Sequence, residues 1–248
     1  MAAHTVLPPD ALAWLAVWQG VRALTLDGGV ALPQRLAAAG HDVFAMTHDE
    51  QRAHRLAHLG GVTPVLARPE AIPLDPAQFD VVVSHQGFHL LDPAATLAQV
   101  ARVLRPGGCL SVSYVIRDDS VPWVRRLAAL LRHYDPLAMR GDYGHQSLGA
   151  LESSKYFPEV ERRAFRIWQP ISLSELHTLV GRQPLARQLS PEQRATLDRE
   201  VADLFHASAR PGEGLRLPFQ LLCHRAWVDH QELTAPVVLP DAGITIHM

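Results

Sequence analysis

The sequence predicts an α/β fold with a mostly parallel sheet and helices on both faces, and three observations lead to that prediction. The run Phe79–Val83 is continuously apolar and β-branched, which suits a strand covered on both faces. A helix follows from the cap at Asp92 to Leu104, and Leu110–Ile116 resumes as a strand. Two strands joined through such a helix form a right-handed crossover, and parallel sheets bind ligands beyond the carboxyl ends of their strands.

The other elements follow from hydrophobic periodicity and from the residues that begin and end helices. In chain order we predict a helix at Ala11–Gln19, a strand at Val21–Leu26, a helix at Ala31–Ala39, a strand at Asp42–Met46, a helix at Asp49–Leu59, a strand at Val62–Leu66 and, after the elements already named, a helix at Ser120–His133, a strand at Val160–Trp168, helices at Ser172–Val180 and Pro191–Ala207 and a last strand at Leu217–Val228. Leu12, Leu15 and Trp18 share the face of the first helix that we expect to be packed. The connection from the third strand to the fourth has no clear helix, and Asp135–Tyr156 is expected to be irregular. The result is a seven-stranded sheet in one domain covering residues 1–248.

Composition narrows the classes of function. The 248 residues include 23 lysines and arginines against 25 aspartates and glutamates, so the charge is balanced and no nucleic-acid partner is expected. No apolar run has the length that spans a bilayer and no secretory signal is present, so we expect a cytoplasmic protein without membrane association. Cys109 and Cys223 lie in apolar runs and are expected to be reduced and buried. A homodimer is left open.

The stretch Phe79–Val124 carries the motifs of a known family. It contains Gln86, Phe88-His89, the run Ala-Arg-Val-Leu-Arg-Pro-Gly-Gly ending at Gly108, and Arg117-Asp118-Asp119. These features resemble the class I S-adenosylmethionine-dependent methyltransferases, and more narrowly a bacterial small-molecule group with a Gln-x-Phe-His stretch after the fourth strand. The resemblance implies a Rossmann-like fold, S-adenosylmethionine as cofactor and a small-molecule substrate. It also implies that residues 135–156 are an insertion that covers the substrate.

The resemblance assigns residues to the cofactor as well. In the family a glycine-rich turn follows the first strand, an acidic residue closes the second strand and binds the ribose, and a loop with a glutamate follows the third strand. The corresponding positions in this chain, together with the end of the fourth strand, are Asp27, Gly28, Gly29, Thr47, His48, Glu70, His85 and Gln86. Glu70 would lie on the adenine side. Asp49, just beyond the position of the ribose acid, could replace it.

Three cofactor-binding elements depart from the family pattern. Of the family's three glycines only Gly28 is kept, Thr47 stands where the ribose acid is expected, and the chain begins close to the first helix, where family members carry a further segment. Losing the carboxylate could weaken binding by between about tenfold and several hundredfold. Two functions therefore stay open. One is an S-adenosylmethionine-dependent methyltransferase; the other is a pseudoenzyme of the same fold that lost the cofactor and serves as a binding or partner protein, or binds another ligand.

His85 and His89 are the candidate catalytic residues. Both follow the fourth strand, where side chains can reach a bound ligand, and histidine can act as a general base near neutral pH. Methyl transfer from a sulfonium also works by positioning alone, so a base is not obligatory. For each histidine the alternative is a structural imidazole, packed beside Phe88 in the case of His89.

Three remaining features have structural explanations. Arg117–Asp119 could anchor a substrate or a covering segment, but we favour an internal pair for Arg117, with Asp118 or Asp119 and Ser120 capping the next helix. His54 and His58 stand one helical turn apart, yet no glutamate completes a metal motif, so we predict no metal. The proline-rich tail, residues 229–248, has no predicted partner.

Overall fold

Strands form where the sequence places its apolar, β-branched runs, and one seven-stranded sheet contains them. The computed structural model describes residues 7–26, 29–139, 145–209 and 214–233. Within these ranges the strands are β1 (Arg22–Thr25), β2 (Asp42–Thr47), β3 (Val62–Leu66), β4 (Phe79–His85), β5 (Leu104–Arg117), β6 (Glu159–Ile171) and β7 (Leu215–Trp227). The helices are α1 (Pro9–Ala16), α2 (Ala31–Ala38), α3 (Glu50–Ala57), α4 (Pro93–Val103), α5 (Pro122–Tyr134), α6 (His145–Glu152), α7 (Leu173–Gly181) and α8 (Pro191–Ser208). The α/β class and the seven strands are as predicted.

The strand order places the ligand-binding edge of the sheet. The strands lie in the order β3-β2-β1-β4-β5-β7-β6. β1 pairs in parallel with both β2 and β4, so Leu24 of β1 lies between Phe44 and Val82, and β2 also pairs in parallel with β3. Parallel neighbours need crossover connections, which α2 and α3 supply for β1, β2 and β3. The sheet is thus the mostly parallel, Rossmann-like sheet that the sequence predicts, with the carboxyl ends of β1, β2 and β4 along one edge.

The chain divides into two compact units. The first comprises Met1–Val17, Val112–His145 and Arg162–His224, and the second comprises Trp18–Ser111, Gln146–Glu161 and Arg225–Met248. In the second unit Val81, Val82 and Val83 of β4 have no exposed surface, which confirms the prediction of a strand covered on both faces. The organisation as one domain stays a prediction.

Three helices build the core of the first unit. The buried residues that they contribute are Trp123, Val124, Leu127 and Leu131 of α5, Leu176 and Val180 of α7, and Leu197 and Val201 of α8. In α5 these positions recur at three- and four-residue spacing, so one face of the helix is apolar. At the edge of this core the hydroxyl of Tyr134 on α5 donates to the carboxylate of Glu200 on α8 at 2.7 Å. The amphipathic helix predicted after β5 is therefore confirmed.

The prediction for Trp18 is wrong because the first helix ends early. α1 stops at Ala16, and Val17 follows with φ of 70°, a left-handed conformation that ends the helical repeat. Leu12 and Leu15 are buried as predicted, whereas Trp18 is 41% exposed. In the second unit the ring of Trp18 contacts the ring of Trp227 edge-on, with the centroids 5.8 Å apart.

Three other boundaries differ from the prediction. α5 begins at Pro122 with Val121 as its N-cap and has no side-chain cap; the backbone N–H of Ser120 donates to the Asp118 carboxylate at 3.0 Å. The segment 135–156, predicted to be irregular, contains α6; its residues 140–144 lie outside the described ranges. β5 begins at Leu104 rather than Leu110, so the Arg-Pro-Gly-Gly turn is part of the strand.

The first residues of the tail have partners that the sequence did not indicate. In the second unit the N–H of Asp229 donates to the carbonyl of Tyr156 at 2.8 Å. The Nε2–H of His230 faces the carbonyls of Ala101 and Leu104 at 3.1 and 3.0 Å. These carbonyls belong to the end of α4, where a helix has no N–H donors of its own for its last carbonyls. Residues 234–248 lie outside the described ranges.

Removing the His230 side chain is expected to destabilise the protein. We expect His230→Ala to lower the free energy of unfolding by about 1 kcal/mol, since two carbonyls at the end of α4 lose a shared donor. His230→Gln keeps a side-chain N–H and is expected to recover part of the loss. Urea denaturation of the three proteins at neutral pH measures both differences. Equal stability of His230→Ala and the wild type would contradict the role of this contact.

Both cysteines are buried thiols. Cys109 and Cys223, which are among the described residues, are buried and carry no disulfide, as the sequence predicts. Burial raises the pKa of the Cys109 thiol to about 12, so this thiol stays protonated and unreactive at neutral pH. None of the helices in the described ranges combines the length and the apolar character that crossing a bilayer requires.

Candidate cofactor site

The predicted site residues of the second unit meet at the carboxyl ends of β1, β2 and β4. Gly29 follows β1, Thr47 closes β2 and His85 closes β4, and these strands are neighbours in the sheet. Asp27 and Gly28, which the sequence assigns to the turn after β1, lie outside the described residues. Gly29 is exposed, and a Cβ atom added to it would meet no atom within 4 Å. The space beside this glycine is therefore open.

At the end of β2 the polar groups are already used by the protein. Thr47 is fully buried, and its hydroxyl oxygen accepts from the backbone N–H of Asp49 at 3.2 Å. Asp49 is the N-cap of α3: its carboxylate accepts from the N–H of Arg52 at 3.0 Å, which is the main cause that lowers the pKa of Asp49. His48, between them, is exposed. Asp49 is thus ionised and half-exposed, and a ribose hydroxyl would share it with the helix cap.

Glu70 lies beside the segment that follows β4. Its Oε1 atom accepts from the backbone N–H of Asp92 at 3.4 Å, and the residue is half-buried. Asp92 is the N-cap of α4, where its own carboxylate accepts from the N–H of Ala95 at 3.2 Å, as the sequence predicts. The fold therefore brings Glu70 from the loop after β3 to the edge that carries His85.

The chain after β4 turns sharply at Gln86. Gln86 has φ of 62°, a left-handed conformation that is uncommon for a residue with a side chain and that costs of the order of 1 kcal/mol. A short 3-10 turn, Phe88–Leu90, follows, with Phe88 fully buried and His89 half-buried. Such conformations cluster at ligand sites, where the surrounding structure holds them in place. The regular strand thus ends at His85, and Gln86 and His89 belong to the turn that follows it.

His85 is an uncharged imidazole at neutral pH. Burial lowers its pKa from 6.5 to about 4, and the positive charge of Arg35 on α2 lowers it in the same direction. The sequence analysis did not identify Arg35 as a neighbour of the site. It could have been found from its position one turn into α2, the helix that follows the glycine turn, because helical side chains lean toward the N-terminus of the helix. A histidine with such a pKa is a weak base at pH 7.

The residues at this edge fit an adenosyl sulfonium. Asp49 and Glu70 supply carboxylate oxygens that can accept hydrogen bonds from ribose hydroxyls or from an adenine amine. The open space at Gly29 lets a ligand approach the backbone. His85, being neutral, adds no repulsion to a positively charged sulfur.

The Arg117-Asp118-Asp119 motif forms internal contacts in the first unit. The guanidinium of Arg117 pairs with both carboxylate oxygens of Asp119, at 2.5 and 2.9 Å, and donates to the carbonyl of Met139 at 2.9 Å. Asp118 is 2% exposed and lies 3.3 Å from the Nε of Arg166. The favoured prediction, an internal pair for Arg117, is confirmed; capping of α5 by these residues is wrong.

Comparison with known proteins places the chain in a family. Residues 27–112 match the model of a methyltransferase domain. An uncharacterised methyltransferase from Mycobacterium tuberculosis strain H37Rv is 32% identical over 225 residues, which is 88% of each chain. A relative from Schizosaccharomyces pombe, also an uncharacterised methyltransferase, is 28% identical over 61% of this chain and 59% of its own length. The chain belongs to the methyltransferase family, which implies S-adenosylmethionine as the methyl donor.

Solved structures agree on the fold. A candidate type II methyltransferase from Anaeromyxobacter dehalogenans superposes with a TM-score of 0.67 at 22% identity, covering 91% of this chain and 98% of that chain. A candidate methyltransferase from an antibiotic biosynthesis pathway of Anabaena variabilis gives a TM-score of 0.55 at 15% identity, covering 89% of this chain and 99% of the other. At these identities the likeness concerns the fold alone. Nothing in the comparisons favours a protein that has lost the cofactor.

Proposed function

We propose that this chain is an S-adenosylmethionine-dependent methyltransferase that acts on a small molecule and binds the cofactor at the carboxyl edge of β1, β2 and β4. One observation carries the proposal. In a chain of the methyltransferase family, Thr47 and His85 close β2 and β4, the two strands that flank β1, and Gly29 follows β1; the sequence predicts all three positions to bind the cofactor. Open α/β sheets bind ligands at this edge.

Each part of the edge has a proposed task. The backbone of the turn at Asp27, Gly28 and Gly29 would hold the amino-acid part of the cofactor, in the manner of glycine turns that precede helices. Thr47 and His48, with the half-exposed carboxylate of Asp49, would lie at the ribose. These assignments explain how the chain could do without the family's acid, because Asp49 stands two residues later.

Glu70 and the end of β4 complete the proposed site. Glu70 would face the adenine, and His85, Gln86 and His89 would line the path to the methyl acceptor. When bound, S-adenosylmethionine supplies a methyl group on a sulfonium. His85 is a weak base at neutral pH, so we infer that the protein contributes mainly by orienting the acceptor and by excluding water. His85 and His89 act as hydrogen-bond partners of the acceptor in this proposal.

A bulky residue at Gly29 is expected to block the cofactor without disturbing the fold. Isothermal titration of purified, ligand-free protein with S-adenosylmethionine and S-adenosylhomocysteine is expected to detect binding, and Gly29→Trp to weaken it at least about tenfold. Gly60→Trp is the matched control, because Gly60 is equally open but lies at the amino end of β3, far from the proposed edge. Thermal unfolding checks that both variants are folded.

The same titration tests the rival function. No binding of either ligand to the wild type, up to millimolar concentration, would overturn the methyltransferase proposal and support a pseudoenzyme of the same fold. If Gly29→Trp and Gly60→Trp weakened ligand binding equally, the cofactor would not bind at the turn after β1. Binding weakened by Gly29→Trp alone leads to a screen of small-molecule acceptors with His85 and His89 variants.

A further inference from the structure

Arg102 of α4 ties down the loop that follows β3. Its Nη1–H donates to the carbonyl of Leu74 at 2.8 Å, and its Nη2–H donates to the carbonyl of Ile72 at 2.7 Å. Gln99, one turn earlier on α4, accepts from Nε and Nη2 of the same guanidinium at 3.2 and 2.9 Å. The half-buried guanidinium is thus fixed on one side by its own helix and holds two backbone carbonyls of the loop on the other.

Little regular secondary structure stabilises the conformation of this loop. Residues 67–78, all of them described, contain no helix, and their regular structure is limited to one bridge between Arg68 and Ala71. Further along, the N–H groups of Ala77 and Gln78 donate to the last carbonyls of α4 at 3.0 and 2.8 Å. The loop therefore depends on α4 for its position.

α4 also contacts the other end of the same loop. Glu70 accepts from the N–H of Asp92, the N-cap of α4, at 3.4 Å. Ile72 lies between Glu70 and Leu74, its own carbonyl is one of the two that Arg102 holds, and the residue is 4% exposed. The stretch from Glu70 to Leu74, the part proposed to lie at the adenine, is accordingly held at both ends by one helix.

We propose that Arg102 is a positioning residue of the cofactor site: its guanidinium holds the Glu70–Leu74 loop in the conformation that binds the adenosyl group. This proposal rests on the proposed function. Hydrogen bonds from a charged donor are among the stronger contacts in a protein, and the planar guanidinium reaches two carbonyls at once, which an ammonium on a flexible stem does not. Without it, the ligand would have to order the loop on binding, which lowers affinity.

The test measures ligand affinity in Arg102 variants. Titration calorimetry with S-adenosylhomocysteine and with adenosine is expected to give a dissociation constant about tenfold higher in Arg102→Ala than in the wild type. Because the loop is proposed to contact only the adenosyl group, both ligands are expected to lose the same factor. Arg102→Lys, which keeps the charge but not the fork, is expected to fall between the two and serves if Arg102→Ala does not fold.

Arg105→Ala is the matched control. Arg105 lies three residues away in the same unit, and its Nη1 atom pairs with the Asp80 carboxylate at 2.5 Å, at the amino end of β4 and outside the Glu70–Leu74 stretch. Removing this pair is expected to lower the melting temperature and to leave both dissociation constants unchanged. If Arg102 had only a structural role, Arg102→Ala would likewise lower the melting temperature and leave both dissociation constants unchanged.

Two results would overturn the inference, and they differ. If the wild type binds S-adenosylhomocysteine and Arg102→Ala and Arg102→Lys bind both ligands within twofold of it, the positioning role fails while the proposed function stands. If the wild type binds neither ligand, the proposed function and the role of Arg102 fail together. A loss confined to S-adenosylhomocysteine, with adenosine unaffected, would place the effect of Arg102 away from the adenosyl group and also contradict the inference.

Discussion

Replacing Gly108 with alanine is expected to lower the free energy of unfolding by about 3 kcal/mol, the upper part of the usual range for overpacking a closed site. A Cβ atom at this position would lie 2.9 Å from the carbonyl oxygen of Arg105, 3.0 Å from that of Asp80 and 3.2 Å from a methyl group of Leu104. The first two atoms belong to backbone in β5 and β4, so neither can move away as a flexible side chain would. The glycine therefore lets the two strands approach each other.

Gly107 is the matched comparison because the two neighbouring glycines are needed for different reasons. Gly107 has φ of 76°, but a Cβ atom there would meet nothing within 4 Å. Gly107→Ala is expected to cost only about 1 kcal/mol, the strain of a left-handed alanine. Urea denaturation of both variants measures the two losses. Equal losses, or a larger loss for Gly107→Ala, would contradict the steric explanation of the Leu-Arg-Pro-Gly-Gly motif.

Much of the fold could be predicted because burial leaves a local pattern in the sequence. A central strand is covered on both faces, so the valines of β4 stand side by side, and β3 has the predicted bounds Val62–Leu66. Asp92 was predicted as an N-cap because its chemistry is local: the acceptor and the N–H of Ala95 are three residues apart. Where local chemistry decides, the sequence is sufficient.

Contacts between distant parts of the chain left no such pattern. His230 and Ala101 are 129 residues apart, and nothing in a proline-rich tail indicates which helix it contacts. Trp18 has the spacing of a buried residue, yet the left-handed backbone at Val17 removes it from the helix. In both cases the outcome depends on tertiary structure, which overrides periodicity.

The candidate site was predicted in position but not in detail. Thr47 was assigned from the family resemblance and His85 from its place after the fourth strand, and the fold brings both to one edge. The sequence did not indicate that Glu70 would accept from the N–H of Asp92, or that Arg102 would hold the loop after β3. These contacts depend on which groups the folded chain leaves within reach of each other.

The His85 side chain is expected to make the protein about 2 kcal/mol less stable at pH 5 than at pH 7. Burial lowers the pKa of His85 from 6.5 to about 4 in the folded protein. Between these values the unfolded chain binds a proton that the folded chain does not, so acidification favours unfolding. The contribution is fully present above pH 6.5 and is lost progressively as the pH falls toward 4, where the loss reaches about 3 kcal/mol.

Comparison of variants isolates this effect from the carboxylates that titrate at lower pH. Urea denaturation at pH 7, 6 and 5 is expected to show the full loss in the wild type and in His54→Asn, whose histidine is exposed on α3. In His85→Asn the loss between pH 7 and pH 5 is expected to be smaller by about 2 kcal/mol. Parallel profiles for all three proteins would mean that His85 is not buried as a neutral imidazole. A smaller loss in His85→Asn would connect stability with function, because the burial that makes the fold acid-sensitive also keeps His85 uncharged at the edge where a sulfonium is proposed to bind.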